Sequence, residues 1–525
     1  MTKYLINRIL RSLISVIIVV AVVMVMIYSF LDREIIFATD SNYAKVSSNA
    51  KEVYKMQQWE KYGYVDYVSY AEYLLELKRN GEITQETYDA AVKFANKASQ
   101  DSEIVAEYVQ KFTEEYESRG YSVERLEAKM KGKTKKYQNG GEPRLYAYRN
   151  VSLGKRLLNY FSGLISVDNV NYVAEDIENR GLTFTLHDPA YGGDKFSPAI
   201  MGNGTKYRYL LYCDDSFPFI HQNLVSINLG KSYSIRRDID VFQTMTESQG
   251  SYVYSTVTYP SGLVTESADD IHSATYVAGS LAGGTPVVQS SFVDDYTNVI
   301  THKNGLSKTG YSFTIGVIAV VLSYLLAIPF GIAMALRKDK FIDKLGTVYI
   351  VFITAVPSLA YIFLFKALGG AMGLPTTFDM ENPTWLMYVL PIVSLALPSV
   401  ANLMKWLRRY MIDQMNSDYV KFARSGGLSE GEILRKHILK NAIIPIVHGI
   451  PASVLGAMTG AIITERVYVV PGAGNLLTRA INAYDNGVIV GLTLFYAVLT
   501  VVSIILGDVL MSIMDPRISF TAKAR

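Results

Sequence analysis

Six stretches of the chain are apolar over membrane length, and they divide it into a short start, a long polar segment and a compact second half. A helix needs about 20 apolar residues to cross a hydrocarbon core about 30 Å thick. The pattern therefore predicts six transmembrane helices: Ser12–Leu31, Tyr311–Leu336, Gly346–Leu368, Leu386–Met404, Ile443–Ile463 and Val488–Met514. The first stretch exceeds the apolar region of a cleaved signal peptide, so we interpret it as a retained helix.

The long polar segment, residues 32–310, contains no apolar run of membrane length. Residues 40–140 are charged and follow helical periodicity, which is seen in the stripe Ile104, Tyr108, Phe112 and Tyr116. Residues 180–300 hold aromatic and β-branched runs typical of strands, namely Leu182–Leu186, Tyr207–Tyr212 and Tyr252–Tyr259. The predicted fold is an all-α polytopic membrane protein with a large α+β domain inserted between its first two helices.

The distribution of Lys and Arg in the short loops predicts how the chain is oriented. Between Lys405 and Lys440 there are eight basic residues against four acidic ones, whereas the loop 371–385 has no Lys or Arg. We therefore expect a multi-pass protein of the plasma membrane with both termini cytoplasmic. The predicted domains are residues 1–31 with the first helix, an extracellular 32–310, and a five-helix core 311–525 containing a cytoplasmic loop 405–442.

The loop 405–442 has a defined local pattern. Apolar side chains at helical spacing lead into it, and they are Leu407, Met411, Met415 and Tyr419. Gly426-Gly427 then interrupts the helix, because glycine favours a turn over a helix interior. Ser429 and Glu432 form a capping box that starts a second helix. We call this helix–turn–helix the elbow; it could dock a partner or transmit force, and an ordinary loop is the alternative.

Prolines recur in the predicted spans, where they mark possible hinges at Pro329, Pro357, Pro391, Pro398, Pro445 and Pro451. Such helices persist in lipid only where neighbours or water satisfy the freed carbonyl groups. Gly456 and Gly460 form a G-x-x-x-G pattern that allows close helix packing. A moving bundle with a pathway fits these features, and a static anchor is the alternative. For the intramembrane Asp508, a structural bond to a neighbouring helix is favoured over an ion relay.

Composition excludes several classes of function. The formal net charge is +3, which gives no nucleic-acid signal, and Cys213 is the one cysteine, so no internal disulfide is possible. The six histidines do not fall at metal-ligand spacing. The chain has neither an intact nucleotide-binding motif nor a nucleophile arrangement, so we expect no enzyme, no metal and no cofactor of its own. If ATP drives its action, another chain must bind the ATP.

The elbow and its flanks resemble the cytoplasmic EAA loop of binding-protein-dependent ABC import permeases, in the oligopeptide and dipeptide branch. The matching residues are Asp418, Tyr419, Val420, Ala423, Arg424, Gly427, Leu428, Ser429, His437, Asn441, Ala442 and Pro445. Further matches are the opening Lys3–Arg11, the loop Glu465–Gly474, the closing Asp515–Arg517 and the element Leu229-Gly230-x-Ser232. The opening points to the B type, and the enlarged outer loop is similar to that of some Gram-positive members.

The resemblance implies a type I ABC importer fold and a function as permease for oligopeptides. It implies a heterodimer with a C-type permease, two cytoplasmic ATPase subunits that bind ATP, an extracellular lipid-anchored peptide-binding protein and surrounding membrane lipid. It places the ATPase contact on Asp418, Tyr419, Ala423, Arg424, Gly427, Leu428, Ser429 and Glu430. The elbow departs from the family at Lys421, Phe422 and Gly426, where partner choice could be set.

For the inserted domain, we expect that it docks the binding protein through an exposed, Tyr-rich surface. Three alternatives remain open from the sequence. The chain could be a membrane-anchored peptide sensor, an ion-driven transporter, or an ABC permease for another cargo such as a nickel chelate.

Overall fold

The computed structural model describes residues 2–132, 136–215, 219–380, 383–459 and 461–514, with side chains from residue 6 onwards. The α-helices in these ranges are α1 Thr2–Phe30, α2 Ser41–Lys45, α3 Ser48–Lys61, α4 Tyr70–Arg79, α5 Gln85–Ala91, α6 Glu103–Ser118, α7 Leu153–Gly163, α8 Val241–Thr246, α9 Ser280–Gly283, α10 Pro286–Ser291, α11 Lys308–Leu336, α12 Phe341–Ala355, α13 Ser358–Ala371, α14 Val389–Met415, α15 Asp418–Ser425, α16 Glu430–Glu432, α17 Lys440–His448, α18 Ile450–Gly456, α19 Ile462–Tyr468, α20 Gly474–Asn482 and α21 Asn486–Met514.

The strands are β1 Val65–Ser69, β2 Ser122–Leu126, β3 Arg144–Asn150, β4 Ile165–Val167, β5 Gly181–Thr185, β6 Ala199–Asn203, β7 Tyr209–Cys213, β8 Ile220–Gln222, β9 Val225–Ile227, β10 Ser255–Thr258, β11 Val264–Ser267, β12 Asp269–Thr275 and β13 Asn298–Thr301. Short 3₁₀ turns occur at Arg33–Phe37, Ala98–Gln100, Pro189–Tyr191, Trp385–Tyr388 and Ala457–Thr459, and Ile433–Leu439 is π-helical.

Five helices in the described ranges are long and apolar enough to cross a membrane, and a bent pair would make a sixth. They correspond to α1, α11, α14 with the turn before it, the run α16–α18, and α21. The apolar pattern located all of these regions. In the fourth span, the helix continues to Met415, beyond the predicted end at Met404. The apolar side chains at helical spacing that lead into the elbow extend it without a break.

The third predicted span, Gly346–Leu368, is not one straight helix. α12 and α13 meet at an angle of 111° on either side of Pro357. Proline lacks an N–H and forces the preceding residue into an extended conformation, and Val356 is indeed extended. Gly346 packs at the other end of α12, where an added Cβ would lie 2.4 Å from the Met334 sulfur. The prediction of a hinge at Pro357 agrees with this bend, but the predicted single span does not, because the apolar pattern continues through it.

The fifth predicted span, Ile443–Ile463, is also displaced. The apolar helix begins at Glu430 and ends at Thr459, and Ile462 opens the separate helix α19. No strong helix breaker lies between the elbow's capping box and Pro445, so the elbow's second helix continues directly into the span. The π-helical stretch Ile433–Leu439 lies at this transition. The elbow and the fifth span are therefore a single mechanical element.

The apolar helices form two packed groups. α11 packs along α14, and their cluster includes Ile315, Ala319 and Ala396. α1 packs on α21 through residues such as Val20 and Leu492. α21 also contacts α17 and α18, which joins the two groups into one bundle.

The inserted segment, defined here as residues 32–307, holds two main layers of sheet. The order β1-β3-β2 forms one antiparallel sheet, against which α3, α4 and α6 pack. The prediction that 40–140 is helical missed β1 and β2, since each is only five residues long and both pair with β3 outside that range. The order β5-β6-β7-β8 forms the second sheet. One face of this sheet packs on a buried apolar cluster that includes Tyr209 of β7 together with Ile271 and Phe292.

Most tyrosines of the inserted segment are buried or half-buried, and only four of those in its described residues are exposed, so the expected exposed Tyr-rich surface is wrong. Tyr70, Tyr146 and Tyr233 are among the best-buried side chains of the segment. A tyrosine ring fills apolar space, and its hydroxyl needs a polar partner when buried. Acidic side chains provide it in two cases, where Tyr146 donates to Glu124 at 3.0 Å and Tyr259 donates to Asp269 at 2.6 Å.

Candidate functional site

The elbow has the predicted helix–turn–helix geometry. α15 ends at Ser425, and Gly427 takes a φ of +83°, a left-handed conformation that side chains other than glycine adopt with strain. Ser429 caps the next helix: its hydroxyl accepts the Glu432 N–H at 3.3 Å, and the Glu432 carboxylate accepts from the Ser429 N–H and hydroxyl. The predicted capping box is confirmed.

The base of the elbow is fixed by buried contacts. Val420 of α15 is buried between α14 and the π-helical stretch, in a cluster with Met411 and Ile433. The Tyr419 hydroxyl donates to Gln414 Oε1 at 2.6 Å and accepts from Asn441 Nδ2 at 3.1 Å. Ala423 and Leu428 also pack against this cluster. These predicted contact positions therefore face the elbow's own base, and they hold α15 against both neighbouring helices.

The tip of the elbow is exposed. Among the predicted contact residues, Asp418, Arg424, Gly427, Ser429 and Glu430 are solvent-accessible. Phe422 is 76% exposed, so the tip presents a large apolar side chain to solvent. The Arg424 guanidinium reaches across the glycine turn and donates two hydrogen bonds to the Glu430 carboxylate, at 2.6 and 3.1 Å. The Lys421 ammonium, 2.9 Å from Asp418, lowers the pKa of that exposed carboxyl.

Phe422 was recognised from sequence only as a departure from the family pattern. Its exposure could not be read from the residue type, since phenylalanine is normally buried. It follows buried Val420 by two positions, which places it on the opposite side of α15. The elbow thus combines a rigid base with an apolar tip surrounded by charges.

The six predicted hinge prolines fall into two groups. Inside helices lie Pro329, Pro398 and Pro445. At helix starts lie Pro357, Pro391 and Pro451. A proline in the first turn of a helix removes no internal hydrogen bond, whereas an interior proline does. The interior prolines are on the helices that surround the elbow and the cleft described next.

A cleft of about 290 Å³ lies between α11, α14 and α18. α11 lines it with small residues at helical spacing, Ser312, Gly316, Ala319 and Ser323. α14 and α18 add Ser399, Asn402 and Ser453. Among the described residues, its walls carry hydroxyl, amide and apolar groups but no charged side chain. Such a surface can hydrogen-bond neutral polar groups without favouring one charge.

Close helix approach at the cleft depends on Gly316, where an added Cβ would lie 2.4 Å from Ala457 Cβ. The predicted G-x-x-x-G contact is not seen at Gly456, around which a Cβ would meet nothing within 4 Å. Gly460 lies outside the described residues, as does the closing motif Asp515–Arg517.

Glu465 explains the glycine-rich motif that follows the fifth span. Its side chain is buried, and Oε1 accepts from Ser312 Oγ at 2.7 Å and from the Ala461 N–H at 3.0 Å. Oε2 accepts from the Gly474 N–H at 2.8 Å. A Cβ on Gly472 would lie 2.4 Å from Oε2, so only glycine fits this approach. The carboxylate thus joins the loop to α11 beside the cleft.

The element Leu229-Gly230-x-Ser232 has a similar structural role at the start of α21. Ser232 Oγ donates to Asp485 Oδ2 at 2.7 Å, and Ser234 donates through its hydroxyl at 2.9 Å and its N–H at 3.0 Å. A Cβ on Gly487 would lie 2.0 Å from the Lys231 carbonyl oxygen. The element thus packs closely against the start of the last helix.

Asp508 contacts two other helices, forming an ion pair with Arg8 of α1 and lying 3.5 Å from His448 of α17. These contacts agree with the structural interpretation of this residue. No group of three or more His, Cys, Asp or Glu side chains able to hold a metal ion occurs in the described ranges.

Comparison with known proteins identifies this arrangement. Residues 327–520 match the family model described as the binding-protein-dependent transport system inner membrane component. The oligopeptide transport system permease protein AmiC of Streptococcus pneumoniae is 35% identical over 529 residues, which cover 100% of this chain and 99% of that relative.

Two further matches cover the helical core. The dipeptide transport system permease protein DppB of Bacillus subtilis is 29% identical over 223 residues, 42% of this chain and 72% of the relative. A crystal structure of an amino acid ABC transporter aligns with 39% of this chain and 90% of its own, at 18% identity and a TM-score of 0.30.

The match to AmiC extends over both the helical core and the inserted segment, and the sequence resemblance is confirmed. The chain is a helical polytopic membrane protein, and it belongs to the family of binding-protein-dependent transport system inner membrane components.

Proposed function

We propose that the chain is the permease subunit of an ATP-driven importer of oligopeptides, forming half of the translocation path. The observation that carries the proposal is the elbow, whose base is buried in the bundle and whose apolar tip is exposed. The names of its relatives, an oligopeptide and a dipeptide permease, support a peptide cargo. In this proposal the chain catalyses no reaction, and the ATPase activity belongs to partner subunits.

The distribution of basic residues supports an orientation with both termini and the elbow in the cytoplasm and the inserted segment outside. The partners in this proposal are a second, C-type permease, two cytoplasmic ATPase subunits and a lipid-anchored peptide-binding protein. The elbow tip, centred on Phe422 and rimmed by Asp418 and Arg424, is the surface that fits an ATPase groove.

A movement of the elbow tip would be transmitted to the translocation path through few contacts. α15 is tied to α14 through Tyr419 and Gln414, and to the fifth span through Asn441. α14 and α18 both line the cleft. A tilt of α15 would therefore move two walls of the cleft together, which is how ATP-driven closure of the partner subunits could switch access.

The cleft is the part of the path that this chain would supply. Its hydroxyl and amide groups suit the polar backbone that all peptides share, and its lack of charge suits cargo of varied sequence. Selection among peptides would then rest with the binding protein.

Replacing Gly427 by Asp tests the coupling. Gly427 has a φ of +83° and open space around a Cβ, so the variant strains the turn and adds charge at the tip without an internal clash. We expect ATP-coupled uptake of a labelled oligopeptide, in membranes containing the partner subunits, to be abolished while the chain stays in the membrane.

Gly373→Asp is the matched control. Gly373 also has a positive φ, +82°, and open space, but it follows α13 at the opposite end of the bundle. It should retain uptake. Normal uptake by the Gly427→Asp variant would contradict the coupling proposal.

For the inserted segment, we propose that the outer face of the β5-β6-β7-β8 sheet docks the binding protein. Cross-strand register places Leu182 and Phe184 of β5, and Leu211 of β7, on one face. These side chains and Ile220 of β8 are exposed, whereas the opposite face packs on the core of the segment. An exposed apolar patch of this kind is a common protein-binding surface.

The double change Leu182→Ser and Phe184→Ser should weaken capture of the purified binding protein at least about tenfold, as burial of two large apolar groups is lost. Val264→Ser, an exposed position on the separate β10-β11 ladder, is the control. Equal capture by both variants would refute this docking face.

A further inference from the structure

A cavity of about 530 Å³ lies where the inserted segment meets α1 and α21. Met24 of α1 and Val490 of α21 form its apolar floor, and Arg156 of α7 lies in its wall. Met24 is six residues from the end of α1, hence about 9 Å below that end along the helix axis. The cavity thus lies beside the end of the first apolar helix, where we expect lipid headgroups to meet acyl chains, and the transport proposal makes no use of it.

The charges around the cavity are unbalanced. Four cationic side chains line it, Lys61, Arg156, Lys206 and Lys231, against two carboxylates, Asp238 and Asp240. Both carboxylates are already engaged. Asp238 pairs with Lys61 at 2.7 Å, and Asp240 accepts three backbone N–H groups.

Arg156, Lys206 and Lys231 have no carboxylate within ion-pair distance in the described part of the chain. The cavity is therefore positively charged overall and suits an anion.

Aromatic rings hold Arg156 in place. Its guanidinium carbon lies 3.7 Å from the ring centre of Tyr28 and 4.0 Å from that of Tyr64. Cation–π contacts occupy the faces of a guanidinium, whereas its donors lie in its plane, where they bind phosphate oxygens well. The arginine is thus positioned before any anion binds.

Asn486 gives a second, independent indication of a ligand. It lines the cavity and is 3% exposed. Its Nδ2 donates to the Tyr64 hydroxyl at 3.1 Å, while its buried Oδ1 has no hydrogen-bond partner in the described structure. A buried acceptor without a donor is costly, so a ligand hydroxyl there would stabilise the site.

We propose that this cavity binds the headgroup of an anionic, hydroxyl-bearing phospholipid, with its phosphodiester at Arg156 and Lys231 and a hydroxyl at Asn486. The acyl chains would follow the apolar surface at Met24 and Val490. In the orientation proposed above, this lipid belongs to the outer leaflet and lies between the inserted segment and the first and last helices.

The test uses the full chain purified in a neutral detergent, with thermal unfolding followed as phosphatidylglycerol or phosphatidylcholine is added. Phosphatidylglycerol should raise the unfolding temperature at lower concentration than phosphatidylcholine. In the double variant Arg156→Gln and Lys231→Gln, the apparent phosphatidylglycerol affinity should fall on the order of tenfold, since each basic residue near a lipid headgroup contributes appreciably.

Lys155→Gln is the matched control, because Lys155 is the neighbour of Arg156 on α7 and pairs instead with Asp66 at 3.0 Å. Its phosphatidylglycerol affinity should be unchanged. If the double variant does not fold, Lys231→Gln alone, at an exposed side chain, should still lower the affinity severalfold.

Two further arms separate the sources of an anion. Glycerol 3-phosphate and inorganic phosphate should give no comparable stabilisation, because they lack the acyl chains. Equal stabilisation by either, displacement of the lipid by an oligopeptide, or equal lipid affinity in the double variant and wild type would each overturn the proposal. Loss of peptide uptake in an elbow variant would leave this lipid measurement unaffected, so the two proposals fail separately.

Discussion

The two ends of the helix bundle are built differently. At the end that carries the inserted segment, two buried carboxylates, Glu465 and Asp485, each collect several hydrogen bonds from serine hydroxyls and backbone N–H groups. At the elbow end, the charged groups of the tip are exposed and paired with one another. α14, with 27 residues, separates the two ends by about 40 Å.

This difference indicates a division of roles. A buried carboxylate with a full set of donors fixes loops in one arrangement, because losing any partner leaves a polar group unsatisfied. An exposed ion pair fixes little and stays available to a partner. We infer that the segment end is a rigid attachment, whereas the elbow end is a contact surface on a rigid base.

The largest expected effect is at Asp485. Replacing Asp485 by Ala removes the acceptor of the Ser232 and Ser234 hydroxyls and of the Ser234 and Val488 backbone N–H groups. With about 1–3 kcal/mol per unsatisfied buried group, we expect the chain to lose at least about 3 kcal/mol of stability. Thermal unfolding in detergent measures this, and an unchanged unfolding temperature would show that the attachment is not rigid.

A smaller effect is expected from Gly487→Ala. The new Cβ would overlap the Lys231 carbonyl oxygen, and relieving such a clash typically costs about 1–3 kcal/mol. The control is Gly431→Ala in α16 of the elbow, where a Cβ meets nothing and alanine favours the helix. The Gly487→Ala variant should unfold at lower temperature than wild type, and the Gly431→Ala variant should not. The reverse order would contradict the inferred difference between the two ends of the bundle.

The base of the elbow is tested by Tyr419→Phe. Without its hydroxyl, the side chain loses the bonds to Gln414 and Asn441, at a cost of about 1 kcal/mol. We expect faster amide hydrogen exchange in α15. Tyr410→Phe, whose hydroxyl makes no hydrogen bond within the described residues, should exchange like wild type. Equal exchange in both variants would mean that Tyr419 does not hold α15.

Arg424→Gln should have the smallest effect on stability. The guanidinium and its partner Glu430 are exposed, so we expect no measurable change in unfolding temperature, but reduced ATP-coupled peptide uptake. Lys111→Gln, which breaks a comparable exposed pair with Glu107 in the inserted segment, should change neither property. Normal uptake with Arg424→Gln would show that Arg424 is not part of the contact surface.

The membrane helices and the elbow could largely be predicted from the sequence because their signals are local. Apolar runs mark the spans, and Gly427 with Ser429 marks the turn and the new helix. Pro357 could be marked as a possible hinge, but the size of its bend could not be predicted, since a proline within an apolar span is compatible with a kink, a break or an intact helix. The displaced fifth span has a similar cause, because a polar helix can continue into an apolar one without any local signal.

The long-range contacts could not be predicted from the pattern of apolar and polar residues. Ser232 and Asp485 are 253 positions apart, and no spacing rule joins them. The buried tyrosines were misread as a surface for a related reason. A tyrosine is compatible with both environments, and the acidic partner that permits burial is often supplied by another strand, as Glu124 does for Tyr146. Phe422 shows the reverse case, an apolar residue that is exposed.

The central claim, that the elbow tip contacts an ATPase subunit, can be measured by cross-linking. Cys213 is the one cysteine, so Cys213→Ser gives a cysteine-free chain, to which Phe422→Cys adds a single reactive site at the tip. Met372→Cys is the matched control. The Met372 side chain is 80% exposed, compared with 76% for Phe422, but it follows α13 at the other end of the bundle. In membranes that contain the whole transporter, the account predicts a cross-linked product with an ATPase subunit from position 422 and none from 372. No product from position 422, or equal products from both positions, would contradict it.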